Sequence, residues 1–279
     1  MKKSLRFCVL LALAAALLTV SAFADTGPKA QLKVLVKNAP EEPYYLDLLE
    51  KGDYQGHTYG SGDGDDTYSG LDWSYSEEEI AALDSELLDA LRAAGAELVF
   101  FSPLHDTALP EGIGGVYLPG GYPELHAKAL SENEPLRCAL CAAIQRGLPT
   151  AAECGGFLYL GQSLEDADGT SYPMAGVLPG QGFRVGKLVR FGYAALTAQA
   201  DSMLFRRGEA LPVHEFHHWD TTANGDAFTA RKADGRSWPC GFANEHFYAG
   251  FPHLYWAGTS LPRRFVTAAR SYLYKEPNP

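Results

Sequence analysis

Residues 149–160 read PTAAECGGFLYL, and the placing of Cys154 between a glutamate and two glycines decides how the chain is read. Pro149–Glu153 follows a turn at Gly147 and has the small apolar character of a buried strand, whereas the run from Gly155 onward reads as the start of a helix. Cys154 is therefore expected on the corner between them. A strand that turns abruptly into a helix strains the corner residue and lifts its side chain at the C-terminal edge of the sheet, where open α/β folds bind ligands. Gly155 and Gly156 allow that turn and the close approach of a substrate to backbone N–H groups. A helix N-terminus beneath a thiol lowers its pKa, and its N–H groups can stabilise an oxyanion. These residue types in this order point to a cysteine nucleophile that attacks an acyl carbon. A buried structural cysteine is the alternative, but it would not need two following glycines.

Outward from the corner, strand and helix alternate. Strands are expected at Leu32–Val36, Glu97–Phe101, Gly115–Leu118 and Pro149–Glu153. A helix over Glu77–Ala94 is expected from Ile80, Leu83, Leu87, Leu88 and Leu91 on one side, with another over Pro135–Arg146 and a closing one over Leu261–Tyr274. The alternation predicts an α/β fold, a mostly parallel sheet with helices on both faces. Beyond Pro173 the apolar pieces are short and broken by Gly and Pro, as in antiparallel strands and loops.

At 279 residues and 46% hydrophobic content the chain can bury a full core. The formal net charge of −11 argues against a nucleic-acid partner, because phosphate binding needs a basic face. Residues 1–24 read as a signal peptide: a basic MKKSLR start, an apolar stretch over 7–20, and Ala22-Phe23-Ala24 before Asp25. An exported location, periplasmic or extracellular, follows as the expectation, with no stable membrane span after cleavage. The domain plan is thus a leader over 1–24, a first strand and polar insertion over 25–76, and the main domain over 77–279. Within residues 38–72, GSGDGDD imitates a calcium loop but lacks the bidentate Glu and flanking helices of one.

Other motifs carry less. Cys138 and Cys141 form a C-x-x-C in the middle of a helical pattern, not at a helix start, and have no second ligand pair for zinc. The histidines of VHEFHHWD, His214, His217 and His218, do not have the H-E-x-x-H spacing of a zinc protease, and the apolar Val213, Phe216 and Trp219 read as a strand. No metal site is expected. His217, with Glu215, remains a candidate auxiliary group, and His57, His105, His126, His246 and His253 are the other histidines outside this cluster from which a thiolate could draw its base.

Four stretches together carry a family resemblance: AGAELVFFSPLHDTALPEGIGGVYLPGGYPELHAKALSENEPLR, GLPTAAECGGFLYLGQSLEDADGTSYPMAGVLPG, HEFHHWD and GFANEHFYAGFPHLYWA. Over residues 77–275 they are similar to the C-terminal glutaminase domain of cobyrinic acid a,c-diamide synthase. That domain belongs to the cobalamin-pathway branch of class I glutamine amidotransferases. The resemblance implies a flavodoxin-like α/β domain with Cys154 as nucleophile and His253, in AGFPHLYW, as the histidine that activates it. It also implies oxyanion stabilisation from Gly120 and Gly121 in LPGGYPEL, beside Gly155 and Gly156, and glutamine as substrate. Many relatives in the superfamily orient the histidine with a glutamate two positions on; here Tyr255 stands there.

The full family enzyme activates corrin carboxylates with an ATP-binding domain, and GxxxxGK[ST] occurs nowhere in this sequence; GFRVGKL has the wrong spacing and no hydroxyl residue after Lys187. No cofactor is expected in the chain itself, and ATP and Mg²⁺ would enter only with a separate synthetase subunit. Two readings stay open: a glutaminase that supplies ammonia to such a partner, and an exported, non-catalytic protein that binds a corrinoid or another small molecule on the same fold.

Overall fold

The computed structural model of the chain describes residues 33–37 and 86–275. The leader expected over 1–24, the polar insertion over 38–72 and the first half of the helix expected from Glu77 lie outside the described residues. Among the described residues, no helix is long and apolar enough to cross a membrane.

The first sheet is built from β1 (Lys33–Lys37), β2 (Glu97–Phe101), β3 (Ile113–Leu118), β4 (Thr150–Glu153), β11 (Phe242–Ala243) and β12 (Phe247–Gly250). Its order is β11-β12-β4-β3-β1-β2, parallel throughout except for the β11–β12 edge. Read from β2, the parallel order 2-1-3-4 followed by β12 is the flavodoxin-like arrangement. The helices are α1 (Glu86–Ala93), α2 (Ala127–Glu132), α3 (Glu134–Gln145), α4 (Gly155–Tyr159) and α5 (Leu261–Lys275). Because successive strand side chains point to opposite faces, β3, β4 and β12 each feed two cores. Tyr117, Ala151 and Tyr248 pack with Leu88 and Leu91 of α1 and with Leu261, Phe265 and Ala269 of α5. Val116, Leu118, Ala152 and Ala249 pack with α2, α3 and α4 through Leu130, Leu140 and Phe157. The parallel sheet with helices on both faces is thus observed.

A second sheet carries the rest of the chain. It contains β5 (Ser163–Glu165), β6 (Ser171–Pro173), β7 (Gln181–Ala198), β8 (Ala210–Thr221), β9 (Phe228–Arg231), β10 (Ser237–Cys240) and β13 (His253–Leu254). Its dominant feature is the antiparallel β7–β8 pair, whose register shifts between Arg184 and Val189 and again between Val189 and Gly192. The antiparallel strands expected beyond Pro173 are observed, but residues 181–198, expected as short pieces, form one 18-residue strand, β7. Phe251-Pro252 carries the chain from β12 in the first sheet to β13 in the second, where His253 pairs with His214 and Leu254 with Val213. His253 therefore stands at the junction of the two sheets.

Candidate active site

Cys154 occupies the corner between β4 and α4 with φ 47° and ψ −106°. A non-glycine residue held at positive φ costs about 1–3 kcal/mol and persists only where its surroundings over-determine it. Those surroundings are specific. The Cys154 N–H donates to the Gly250 carbonyl at 2.8 Å, its own carbonyl accepts from Leu158 at 3.0 Å, and the Gly156 N–H donates to the Pro119 carbonyl at 3.0 Å. The two glycines that follow are steric necessities. A Cβ on Gly155 would overlap the Gly121 carbonyl and one on Gly156 would overlap the Leu118 carbonyl. The corner is thus pressed against the Pro119–Gly121 loop that leaves β3, and Gly121 itself needs the glycine-only φ of 137°.

His253 meets the same loop from the other side. A Cβ on Gly120 would lie 2.6 Å from His253 Cε1, so only a glycine leaves room for the ring. The Cys154 thiol donates toward the carbonyl of Phe216 at 3.8 Å, and Phe216 lies two residues beyond His214, the β8 partner of His253. Cys154 and His253 are thereby gathered around one loop and one strand at the C-terminal edge of the parallel sheet. Burial, with His214 and His217 as like-charged neighbours, pushes the His253 pKa down to about 4. The third of its side chain still open to solvent tempers that depression without reversing it. The ring is therefore neutral near pH 7, able to accept a proton.

The sequence expectation that all four glycines serve an oxyanion is revised at Gly156, whose N–H is already spent on Pro119. The N–H of Gly155 opens the helix, where no intrahelical acceptor exists for it. Since α4 has only five residues, its macrodipole is small and the local amide is what it offers the thiol.

His217 lies in a different environment. It is buried and stacks on Phe251 at 3.8 Å with an interplanar angle of 3°. Nδ1 is 2.6 Å from the Trp219 carbonyl and Nε2 is 3.1 Å from Glu215 Oε2. Both ring nitrogens are thus committed to oxygen partners within the protein. Arg190, at φ 52°, closes this network with Nη2 on Asp220 at 2.6 Å and Nε on Glu215 at 3.4 Å. His217 and Glu215 thus belong to a buried ionic cluster that anchors the β7–β8 hairpin. Among the described residues no group of three or more His, Cys, Asp or Glu side chains is placed to hold a metal ion.

Glu153 is the site residue that sequence reasoning passed over. It is 3% exposed, accepts a hydrogen bond from Trp256 Nε1 at 2.8 Å on Oε1, and places Oε2 3.7 Å from His253 Nδ1. Burial pushes its pKa up to about 7, against the lowering effect of hydrogen bonds from Trp256, the Leu254 N–H and Tyr117. The signal was present: a lone acid ends a strand, TAAE, that is otherwise small and apolar.

A profile of the CobB/CobQ-like glutamine amidotransferase domain matches residues 82–259. The chain belongs to this family. Among curated proteins, it is 40% identical over 172 residues to the cobyrinate a,c-diamide synthase of Caldanaerobacter subterraneus subsp. tengcongensis, covering 61% of this chain and 38% of that protein. It is 48% identical over 130 residues to the synthase of Dehalococcoides mccartyi strain 195, covering 47% of this chain and 28% of that one. With the Salmonella typhimurium synthase the identity is 40% over 192 residues, covering 67% and 42%. The chain therefore spans about two fifths or less of the relatives it matches. Among solved structures, PurLQS from Thermotoga maritima superposes with a TM-score of 0.50 at 17% identity, covering 88% of this chain and all of that one, a likeness of fold. The matched residues 82–259 include the Cys154 corner and the β12–β13 junction.

Proposed function

We propose that this amidotransferase domain hydrolyses glutamine, with Cys154 as nucleophile and His253 as acid and base. As His253 takes the thiol proton, the Cys154 sulfur attacks the side-chain amide carbon and the carbonyl π electrons move onto oxygen. The Gly155 N–H and the Gly120–Gly121 backbone stabilise that oxyanion. His253 returns the proton to the amide nitrogen, the C–N bond breaks, and ammonia leaves behind a thioester. His253 then deprotonates a water that adds to the thioester, and the sulfur departs as thiol while glutamate is released. The observation that carries this reading is the strained Cys154 corner packed on a loop whose other face seats the His253 ring.

The ammonia would pass to a separate ATP-dependent synthetase subunit, where ATP and Mg²⁺ would bind. The matched relatives, named cobyrinate a,c-diamide synthases, favour a corrin carboxylate as the eventual acceptor. The leader read over 1–24 would place the reaction outside the cytoplasm. The test is glutamate release from glutamine by the purified chain, beside Cys154→Ala and His253→Ala. Release that both variants abolish supports the reading. Wild-type release no greater than that of Cys154→Ala would instead favour a non-catalytic corrinoid-binding protein.

A further inference from the structure

A histidine that relays a proton from a thiol works in one tautomer, with the Nε2 lone pair toward the sulfur and Nδ1–H held elsewhere. Something must receive that Nδ1–H. Tyr255, two positions after His253, is 57% exposed and has no carboxylate. The acid facing Nδ1 is Glu153, whose Oε2 is 3.7 Å away.

Resting on the glutaminase reading above, we propose that Glu153, the residue immediately before the nucleophile, is the positioning residue that fixes the tautomer and orientation of His253. It takes the place of a carboxylate two positions after the histidine.

Chain geometry supports this. Successive residues of a strand face opposite sides, so Glu153 points into the core shared with Trp256 and Tyr117 while Cys154 emerges on the other face. His253, at the sheet junction beyond this edge, can span the two. One peptide unit thus ties the acid to the nucleophile, which Nε2 of the imidazole would reach in the proposed arrangement. The carboxylate is also immobilised. Trp256 Nε1 donates to Oε1 at 2.8 Å, and the Tyr117 hydroxyl and the Leu254 N–H also donate to it. The Leu254 contact registers Glu153 directly on the two-residue strand that carries His253. The 3.7 Å separation must close by about 0.7 Å to become a hydrogen bond, the kind of loose catalytic contact that tightens when substrate binds.

The charges around the pair set its pH behaviour. Facing Glu153 are the Trp256 indole, the Tyr117 and Tyr248 phenols, the Leu254 N–H and His253; facing His253 are His214, His217 and Gly120. Burial drives both members toward their neutral forms, the acid up to about 7 and the imidazole down to about 4. Between about 4 and about 7 they meet as carboxylic acid and imidazole. Above that range Glu153 is a carboxylate that holds Nδ1–H by a charge-assisted bond.

The experiment compares wild type, Glu153→Gln and Glu153→Asp in glutamine hydrolysis from pH 5 to 9, and reads the ring ¹⁵N shifts of His253 at pH 8, identified by their loss in His253→Ala. The expected wild-type profile rises through an acid limb near 7. Glu153→Gln should lower kcat about 10²-fold with KM changed less than about threefold, and lose that limb. Glu153→Asp should keep a limb and recover part of kcat. The shifts should report a single Nδ1–H tautomer in wild type and a mixture in Glu153→Gln. An unchanged limb and kcat in Glu153→Gln, or an unchanged tautomer, overturns the proposal. If Glu153→Gln does not fold, a mixture of His253 tautomers in wild type at pH 8 overturns it equally. Wild type that hydrolyses no glutamine while Glu153 still controls the tautomer would refute the glutaminase reading and leave the positional relationship standing.

Discussion

Gly120 lies against the ring of His253 so closely that a single added methyl carbon would come within 2.6 Å of Cε1. No real Cβ tolerates that distance, and the ring is more easily moved than the β3–α2 backbone. Gly120→Ala should therefore displace His253 and lower kcat for glutamine hydrolysis about 10²-fold, the cost of an ångström-scale misplacement of a catalytic group. The thermal midpoint should change little. Steady-state kinetics and a thermal melt on the same preparation check both halves of the expectation.

Gly156 and Gly169 separate steric demand from backbone demand. A Cβ on Gly156 would run into the Leu118 carbonyl, whereas Gly169, at φ +80°, has nothing within 4 Å of the position. Gly156→Ala should cost roughly 2–4 kcal/mol because neither backbone can yield. Gly169→Ala should cost only about 1 kcal/mol, the penalty of a left-handed alanine. Denaturant unfolding of the two variants measures the difference.

Glu153 makes stability depend on pH in a definite direction. A carboxyl whose folded pKa lies above its unfolded value favours folding while protonated, and that contribution is lost as pH rises through the folded value. For Glu153 the window runs from 4.5 to about 7. His253, with its pKa lowered from 6.5 to about 4, acts oppositely: its contribution is full above 6.5 and is lost as pH falls through about 4. Comparing wild type with Glu153→Gln isolates the first effect. The variant should gain on wild type between pH 5 and pH 8 by up to roughly 3 kcal/mol, the worth of the Glu153 shift. Unfolding curves at the two pH values that keep a constant gap would contradict it.

His217 should matter for stability and not for the chemistry. Its ring nitrogens are committed to Trp219 and Glu215, and its face to Phe251. His217→Ala leaves Glu215 buried beside Arg190 without its second partner, which should cost about 3–5 kcal/mol. Yet the rate at which a glutamine-analogue diazoketone labels Cys154, measured on the folded fraction, should stay within about threefold of wild type.

What the sequence disclosed and concealed follows from local physics. The strand-to-helix corner was legible in TAAECGG because small apolar residues, one cysteine and two glycines leave few backbone solutions, and the parallel strands followed from apolar runs between helical patterns. The β7–β8 hairpin was not legible as one unit. Gly186 and Gly192 take positive φ, Arg190 takes φ 52°, and two register shifts interrupt the alternation that would announce an 18-residue strand. Glu153 escaped notice for another reason. Its partners, Trp256, Leu254 and Tyr117, come from distant parts of the chain, and only the β12–β4 pairing brings the His253 segment back to it. The role of His217 was equally hidden, since a strand reading of HEFHH does not say which of its faces is buried against Phe251.

The central claim is that the Cys154 corner is an activated nucleophile seated beside His253. Cys138 supplies an internal control, because it is exposed while Cys154 is buried. The most direct measurement is treatment of the purified chain with a glutamine-analogue diazoketone, followed by mass-spectrometric mapping of the modified cysteines. Modification should fall on Cys154 well before Cys138, Cys141 or Cys240, be slowed by added glutamine, and be lost in His253→Ala. Preferential modification of the exposed Cys138, with Cys154 untouched in folded protein, would contradict it.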